Sequence, residues 1–238
     1  ERDYFLANGG LAWYFVAGSI TLTNLSTDQL VSMNGNQMLL IAWWELAAVV
    51  GLFILAFVFL PVYYKNNCTT TTELLQKKYG DKHIRALISL LFLAGNLFIF
   101  LPAILYGGSR FFLSLLGYDG GIENIMLVSV VLAIVGAAYA VFGGLRAVAV
   151  SDTYSGVLIL SLALVVVYLA LQAINFDFSG IPADRLTLIG GSGSDIPWTT
   201  LLTGMIFIQT FYWSTNQTIT QRAMASPTVK EAQKGVLA

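Results

Sequence analysis

Charged side chains are scarce in this sequence: 11% of its 238 residues are charged, whereas 57% are hydrophobic. Soluble domains carry about 25% charged residues. Because so few charges cannot cover a surface that faces water, we expect an integral membrane protein rather than a soluble helical one. The sequence also has no run of interleaved basic and aromatic residues, so no nucleic-acid partner is expected.

Cysteine and histidine occur once each, as Cys68 and His83. A single cysteine allows no intrachain disulfide and no cysteine-based zinc site. A membrane enzyme would need a nucleophile with its base, or a set of metal ligands. We therefore expect no catalytic residue, no enzyme activity and no cofactor.

Six stretches are long and apolar enough to cross a membrane, which takes roughly 20 residues for about 30 Å of hydrocarbon. Backbone groups in lipid must be satisfied within the segment, so these stretches should be helices. A seventh, shorter stretch has a threonine able to cap a helix, late lysines and a final glycine, which predicts a short cytoplasmic helix. The whole chain is thus expected to be one transmembrane domain, with spans near 10–34, 38–64, 85–113, 124–147, 153–174 and 199–224 and the short helix at 69–80.

The lysines and arginines are distributed unevenly over the connections between these spans. If Glu1 is cytoplasmic, ten of the 12 cationic residues lie inside, and only Arg110 and Arg185 lie outside. Cytoplasmic connections are normally rich in lysine and arginine. This orientation makes the first span run outward and the sixth run inward.

Polar residues interrupt the first and the sixth span. The run Ser26-Thr27-Asp28-Gln29 in the first resembles Ser214-Thr215-Asn216-Gln217 in the sixth. Matching interruptions in helices of opposite direction indicate an inverted repeat with a transport site near the middle of the membrane. The alternative is a chance similarity between polar residues that hold helices together.

At these residues the sequence resembles the sodium:solute symporter family, in particular its sodium/glucose and sodium/galactose branch. Motifs in the family's order and spacing cover essentially the whole chain: DYFLA at 3–7, TNLSTDQ at 23–29, TELLQKKY at 72–79, FGGLRAVAVSD at 142–152, FYWSTNQ at 211–217 and EAQKG at 231–235. Any one of these motifs alone would be weak evidence for the family, but together they are specific to it.

The resemblance implies an all-α integral membrane fold of the leucine-transporter type. The chain would hold the first five-helix inverted repeat and the first helix of the second repeat. A preceding helix and all helices after the sixth would be missing, and these remaining helices would be partners of this fragment. The expected function is sodium-coupled symport of a small polar solute, such as galactose or glucose, across the plasma (inner) membrane, with the protein crossing the bilayer many times.

Carried over position by position, the resemblance implies a solute pocket and its gates. The pocket residues would be Gln29, Glu45, Gln209 and Tyr212. Tyr212 would also be the inner gate, and Met33 and Trp44 would lie near the outer gate.

The resemblance also implies a sodium path. Leu22 and Leu25 would give backbone carbonyls to the ion, and Asp152 would be a possible cation relay towards the cytoplasm. The hydroxyl ligands of that sodium would come from a helix outside this chain. Sodium is expected as the coupling ion, and no other metal is expected.

Several departures leave the solute open. Ala48 stands where a sugar-binding relative has a serine hydroxyl, Gln209 stands where sugar transporters carry asparagine, and the connection before Glu45 is shorter. A non-sugar solute (amino acid, carboxylate or sialic acid) is one alternative, and a sensor built on the symporter fold is another. A channel is a third, although coupling to sodium would exclude it.

Two residues have simpler interpretations beside the functional ones. Glu45 could lie at the outer membrane interface between tryptophans rather than in a pocket. Asp152, which we expect near Arg146 at a helix junction, could merely cap the fifth helix.

Overall fold

The computed structural model describes residues 2–25, 39–194 and 196–238, without the side chains of residues 2, 3, 39–41, 44 and 184. The described residues are mostly helical, and their only β-type pairing is an isolated bridge between Gly190 and Pro197. Three helices in this described part are long and apolar enough to cross a membrane: Ala48–Lys65, Lys82–Leu116 and Ile122–Ala173.

The chain begins with α1 (Arg2–Leu6) and α2 (Trp13–Asn24). The next described helices are α3 (Leu39–Leu46), α4 (Ala48–Ile54) and α5 (Leu60–Lys65), the last two joined by a π turn. A short α6 (Thr71–Tyr79) leads to α7 (Lys82–Gly95) and, through a second π turn, to α8 (Leu101–Leu116). The remaining helices are α9 (Ile122–Ala173), α10 (Gly204–Thr215), α11 (Gln217–Met224) and α12 (Val229–Leu237).

Both π turns precede a proline. The turn at Leu55–Phe59 is followed by Pro61, and the turn at Asn96–Phe100 is followed by Pro102. A proline lacks the N–H for the i−4 carbonyl, and its ring clashes with that carbonyl. Widening the preceding turn to i→i+5 bonding lets each helix continue across its proline.

Helix α9 is long enough for two membrane crossings. At 1.5 Å per residue its 52 residues span roughly 78 Å, more than twice the hydrocarbon thickness. The backbone turns at Gly144, with φ 59° and ψ −166°, a region open essentially to glycine alone. The predicted spans near 124–147 and 153–174 both lie within Ile122–Ala173, and the non-helical residue between them is Gly144.

The buried core lies where α2, the π turn before α5, and α10 to α12 meet. Val16, Leu55, Leu60 and Ile219 are each 0% exposed there. Helices α7, α8 and α9 expose most of their apolar side chains; Phe98, for example, is 75% exposed. Such surfaces are stable in hydrocarbon rather than in water.

Candidate functional site

The two interrupted spans end their first helical parts in the same backbone conformation. Helix α2 stops at Asn24, and Leu25 follows with φ −73° and ψ 122°. Helix α10 stops at Thr215, and Asn216 follows with φ −69° and ψ 122°. The interruption predicted for the sixth span is therefore present at Asn216, within the polar run that the sequence singled out, whereas the run 26–29 of the first span lies outside the described residues.

The break at Asn216 is stabilised by its own side chain. Asn216 Oδ1 accepts hydrogen bonds from the backbone N–H of Thr218 at 3.1 Å and from its hydroxyl at 2.6 Å. This N-cap starts α11 immediately after α10 ends. The asparagine cap thus explains why a helix starts again directly after the break.

Leu22 and Leu25 lie at the end of α2. Carbonyls in the last turn of a helix have no intrahelical donor, so they are available to a cation or to other donors. The residues that follow Leu25 lie outside the described residues, so the role of these carbonyls as sodium ligands stays a prediction.

Glu45 lies beside the first break. Asn24 Nδ2 donates a hydrogen bond to Glu45 Oε2 at 3.3 Å. Glu45 is half-buried rather than fully exposed. The structure thus places one of the four expected solute residues, Glu45, next to the end of α2.

Gln209 is buried on the inner face of α10, with 5% of its surface exposed. Its Oε1 accepts a hydrogen bond from Trp213 Nε1 at 2.9 Å, one helical turn further on. Tyr212 is half-buried, and its ring meets that of Trp213 edge to face at 5.2 Å between centroids.

Helix α4 packs against α10 at Gly51. A Cβ at this position would lie 2.9 Å from Trp213 Cδ1 and would overlap the Gln209 carbonyl. The Gly51 carbonyl accepts a hydrogen bond from Ser214 Oγ at 3.0 Å, and the Ser214 carbonyl accepts one from the Tyr63 hydroxyl at 2.9 Å. The first half of the sixth span is therefore held tightly by the second span.

A cavity of about 340 Å³ lies between α2, α4, α10 and α12. Its walls include Leu25, Glu45, Ala48 and Trp213. Its volume falls within the usual range for small-molecule pockets. Ala48 contributes no hydroxyl to this wall, as its position in the sequence indicated.

Asp152 is held by residues that the sequence analysis did not assign to it. Ser19 Oγ donates to Asp152 Oδ2 at 2.7 Å, and Arg222 Nη2 forms an ion pair with the same oxygen at 3.5 Å. Arg222 Nε also donates to Ser19 Oγ at 2.7 Å. Asp152 was expected near Arg146, but its ion pair is with Arg222. The capping role is also excluded, because Asp152 lies well inside the helical part that follows Gly144.

Three expected residues are not placed by the structure. Gln29 and Met33 lie outside the described residues, and of Trp44 only the backbone, in α3, is described. Ser19, Tyr63 and Gly51 are contact residues that sequence reasoning missed. A serine, a tyrosine and a glycine in apolar helices carry no distinguishing pattern, so no signal short of the fold could have found them.

The short helix α6 connects the second and third spans and contacts the second half of the sixth. Gln217 Oε1 accepts hydrogen bonds from the Thr71 N–H at 2.9 Å and from its hydroxyl at 3.1 Å. In the same helix, burial raises the pKa of Glu73, but a hydrogen bond from the Thr69 N–H and the neighbouring Lys77 outweigh burial and leave that pKa lowered.

Comparison with known proteins agrees with this architecture. The family model of the sodium:solute symporters matches residues 4–238. The chain is 36% identical to an uncharacterised symporter, YidK, of Escherichia coli (strain K12), covering 100% of this chain and 44% of that protein. It is 28% identical to the sodium/myo-inositol cotransporter 2 of Mus musculus (99% and 38%) and 27% identical to the sodium/glucose cotransporter of Vibrio parahaemolyticus (99% and 46%).

A solved structure supports the fold. The substrate-bound, outward-open state of a Na⁺-coupled sialic acid symporter superposes with a TM-score of 0.73 at 19% identity, covering 99% of this chain and 50% of that one. The fold is accordingly of the leucine-transporter type, with the first five-helix repeat and the first helix of the second. The chain spans less than half the length of the curated relatives described above. It is an integral membrane protein and belongs to the sodium:solute symporter family.

Proposed function

We propose that the complete transporter carrying this chain moves a small polar solute into the cell together with sodium, by alternating access and without covalent chemistry. The observation that carries this proposal is the helix break at Asn216, together with the end of α2 at Leu25 in the same backbone conformation. Broken helices expose backbone polar groups at a depth where lipid could not satisfy them, so a cavity or ligand must.

Sodium would bind at the first break. The carbonyls of Leu22 and Leu25 are hard oxygen ligands of the kind that sodium prefers, and further ligands would come from helices outside this chain. Inward movement of one charge through a potential of 100 mV supplies about 2.3 kcal/mol in addition to the concentration gradient. Asp152 would relay the cation on its way to the cytoplasm, with the plasma (inner) membrane as the site of action.

The solute would lie between the breaks. Glu45 and Gln209, together with Gln29, offer hydrogen-bonding groups suited to hydroxyls. Tyr212 would close the site on the inner side, and Met33 and Trp44 would close it on the outer side.

A sugar or a related polyol is the solute that these groups favour. A carboxyl group such as that of Glu45 accepts hydrogen bonds from hydroxyls but repels an anionic solute, which argues against carboxylates and sialic acid. The printed names of two relatives, a glucose and a myo-inositol cotransporter, support the same class. Two hypotheses compete with sugar transport, because Ala48 lacks the hydroxyl of the serine found in a sugar-binding relative. The protein would either transport an amino acid or another non-sugar solute, or act as a sensor built on this fold.

The test is uptake by the complete transporter in proteoliposomes, with labelled glucose, galactose and myo-inositol and an inward sodium gradient. We expect at least one of them to accumulate only with sodium. Gln29→Ala and Glu45→Gln should each lower its uptake at least about tenfold, since a site built for a hydroxyl loses this much when one partner is removed. The exposed Glu123, changed to Gln, is the matched control and should leave uptake unaltered.

Three other outcomes would be informative. Sodium-dependent accumulation of an amino acid or a carboxylate instead of a sugar would overturn the proposed solute but support the proposed coupling to sodium. Solute equilibration that ignores sodium would overturn the symport proposal. Equal loss in the Glu123 control would show that the Glu45 effect is not specific to the site.

A further inference from the structure

The junction of α6 and α7 carries the densest group of cations in the sequence. Four of the 12 lysines and arginines fall between residues 77 and 85, where the only acid is Asp81. Asp81 caps α7 by accepting a hydrogen bond from the His83 N–H at 2.8 Å. The membrane-length helix Lys82–Leu116 starts at this junction, so these charges lie at the level of a bilayer surface, on the predicted cytoplasmic side.

Two of these four cations are occupied within the protein and two are not. Lys77 forms an ion pair with Glu73 at 3.0 Å, and Arg85 Nη1 donates a hydrogen bond to a side-chain oxygen of α6 at 3.2 Å. Lys78 and Lys82 are exposed, and their ammonium groups form no ion pair or hydrogen bond with any residue that the structure describes. Two uncompensated charges therefore lie at the start of this membrane-length helix.

Helix α7 has two different faces below these charges. Arg85 and Ser89 contact α6, and Ser89 Oγ donates to Thr72 Oγ1 at 3.0 Å. Successive residues of an α-helix are about 100° apart, so Leu87 and Leu91, each two positions further on, point away from α6. These leucines are 57% and 60% exposed. An apolar face thus begins about 8 Å along the helix from the last free lysine.

Tyr79 lies between the two free lysines in the sequence. Its side chain is 60% exposed, and Lys78 Nζ lies 5.8 Å from the centroid of its ring. Tyrosines of membrane proteins concentrate at the interface, where the ring meets acyl chains and the hydroxyl meets headgroups and water. The junction therefore combines free cations, an interfacial tyrosine and an apolar face, in the order in which a lipid presents its headgroup and its chain.

We propose that the surface formed by Lys78, Tyr79, Lys82, Leu87 and Leu91 binds an anionic phospholipid of the cytoplasmic leaflet. The two ammonium groups hold the phosphate, and the leucines pack against an acyl chain. Charge complementarity favours this occupant over another apolar helix of the complete transporter, because a helix would cover the leucines but would leave the two cations uncompensated. The inference does not depend on which solute the transporter moves.

The experiment measures thermal unfolding of the complete transporter in neutral detergent with one added lipid, since a compound that binds the folded form raises the unfolding temperature. Dioleoylphosphatidylglycerol should act at a concentration at least about tenfold lower than dioleoylphosphatidylcholine, because each lysine near an anionic lipid strengthens binding about fivefold. Glycerophosphate, which has the phosphate but no acyl chain, should have no effect at the same concentration. Raising potassium chloride from about 0.05 M to about 0.5 M should weaken the effect of the anionic lipid by screening.

Three variants assign the effect to this surface. Lys78→Gln combined with Lys82→Gln should raise the half-maximal concentration of phosphatidylglycerol at least about tenfold and leave that of phosphatidylcholine unaltered. Lys78→Arg combined with Lys82→Arg keeps both charges and should respond as the wild type does. The matched control is Arg185→Gln combined with Lys230→Gln, which removes two exposed cations elsewhere and should also respond as the wild type does.

Equal effects of phosphatidylglycerol and phosphatidylcholine on the wild type would overturn the proposal, and would mean that another helix of the transporter covers this surface. An equal effect of glycerophosphate would overturn it too, because the leucines would then take no part. An equal loss in the Arg185 and Lys230 control would show that net charge, and not this surface, governs the response. If the double glutamine variant does not fold, Lys82→Gln alone decides, and unaltered affinity for phosphatidylglycerol in it would overturn the proposal.

Discussion

Ser19 donates a hydrogen bond from Oγ to Asp152 Oδ2 over 2.7 Å, and so joins the first span to the helix that follows Gly144. Arg222 binds both partners, with Nε on the serine hydroxyl and Nη2 on the carboxylate. The side chains of Arg222 and Asp152 are only 11% and 14% exposed. Three helices, α2, α9 and α11, are therefore held together by one polar cluster.

Replacing Asp152 by Asn should destabilise the protein strongly. The change removes the charge that balances Arg222 in a largely water-free place, and breaking such a pair costs about 3–5 kcal/mol. Ser19→Ala removes a neutral link and should cost about 1–2 kcal/mol. Thermal unfolding in detergent measures both.

The exposed Asp119, changed to Asn, is the control for the loss of a carboxylate and should unfold as the wild type does. Equal unfolding temperatures for Asp152→Asn and the wild type would show that the cluster contributes nothing to stability.

Gly51→Ala should separate the second span from the sixth. The added carbon would overlap the Gln209 carbonyl, a backbone atom that cannot move alone. Overpacking of this kind costs about 1–3 kcal/mol. We expect a lower unfolding temperature and lower uptake.

Gly136→Ala is the matched control, since nothing lies within 4 Å of its Cβ position. Alanine favours a helix over glycine by about 1 kcal/mol, so the control should be neutral or stabilising. Similar behaviour of the two variants would contradict the close contact at Gly51.

The single cysteine offers a test of burial outside the spans. Cys68 is 7% exposed, and burial raises the pKa of its thiol, an effect only partly offset by Lys77. Because the thiolate is the reactive form, each unit of increase in pKa reduces its fraction at neutral pH about tenfold. Maleimide labelling at pH 7 should be slower than labelling of an exposed thiol, and should accelerate as the pH rises.

An exposed reference thiol is supplied by Ser192→Cys in a Cys68→Ser background, because Ser192 lies in an exposed connection. Labelling of Cys68 as fast as this reference would show that the segment around it is open in solution.

Acid should weaken the short helix α6 through Glu73. The pKa of its carboxyl group is lowered in the folded protein, so its contribution to stability is present above the unfolded value, near 4.5, and is lost as the pH falls through the folded value. Glu73 forms an ion pair with Lys77 at 3.0 Å, and because Lys77 is 40% exposed the effect should not exceed about 1 kcal/mol.

The measurement is the unfolding temperature of the wild type and of Glu73→Gln between pH 3 and pH 7. The difference between them should be largest at pH 7 and should shrink as the pH falls through the pKa of the folded protein. A difference that does not depend on pH would mean that Glu73 acts by its shape and not by its charge.

Local chemistry allowed several features to be predicted from the sequence. Thr70 caps α6 through a hydrogen bond from the Glu73 N–H, and Gly80 ends it in the left-handed conformation, as the residue types alone indicate. The break at Asn216 also falls within the polar run that was expected to interrupt the sixth span. These features depend on residues a few positions apart, and short-range hydrogen bonds and backbone preferences are the same in any fold.

The sequence by itself determined that this chain lies in a membrane and that its sixth span is broken, because hydrocarbon accepts only long apolar helices and polar runs interrupt them. Only the tertiary structure decided that Asp152 pairs with Arg222 and not with the nearby Arg146, and that Gly51 lies against Trp213. Asp152 and Arg222 are 70 residues apart. Contacts over such separations depend on how whole helices pack, and helix packing leaves no periodic signal in the residues that meet.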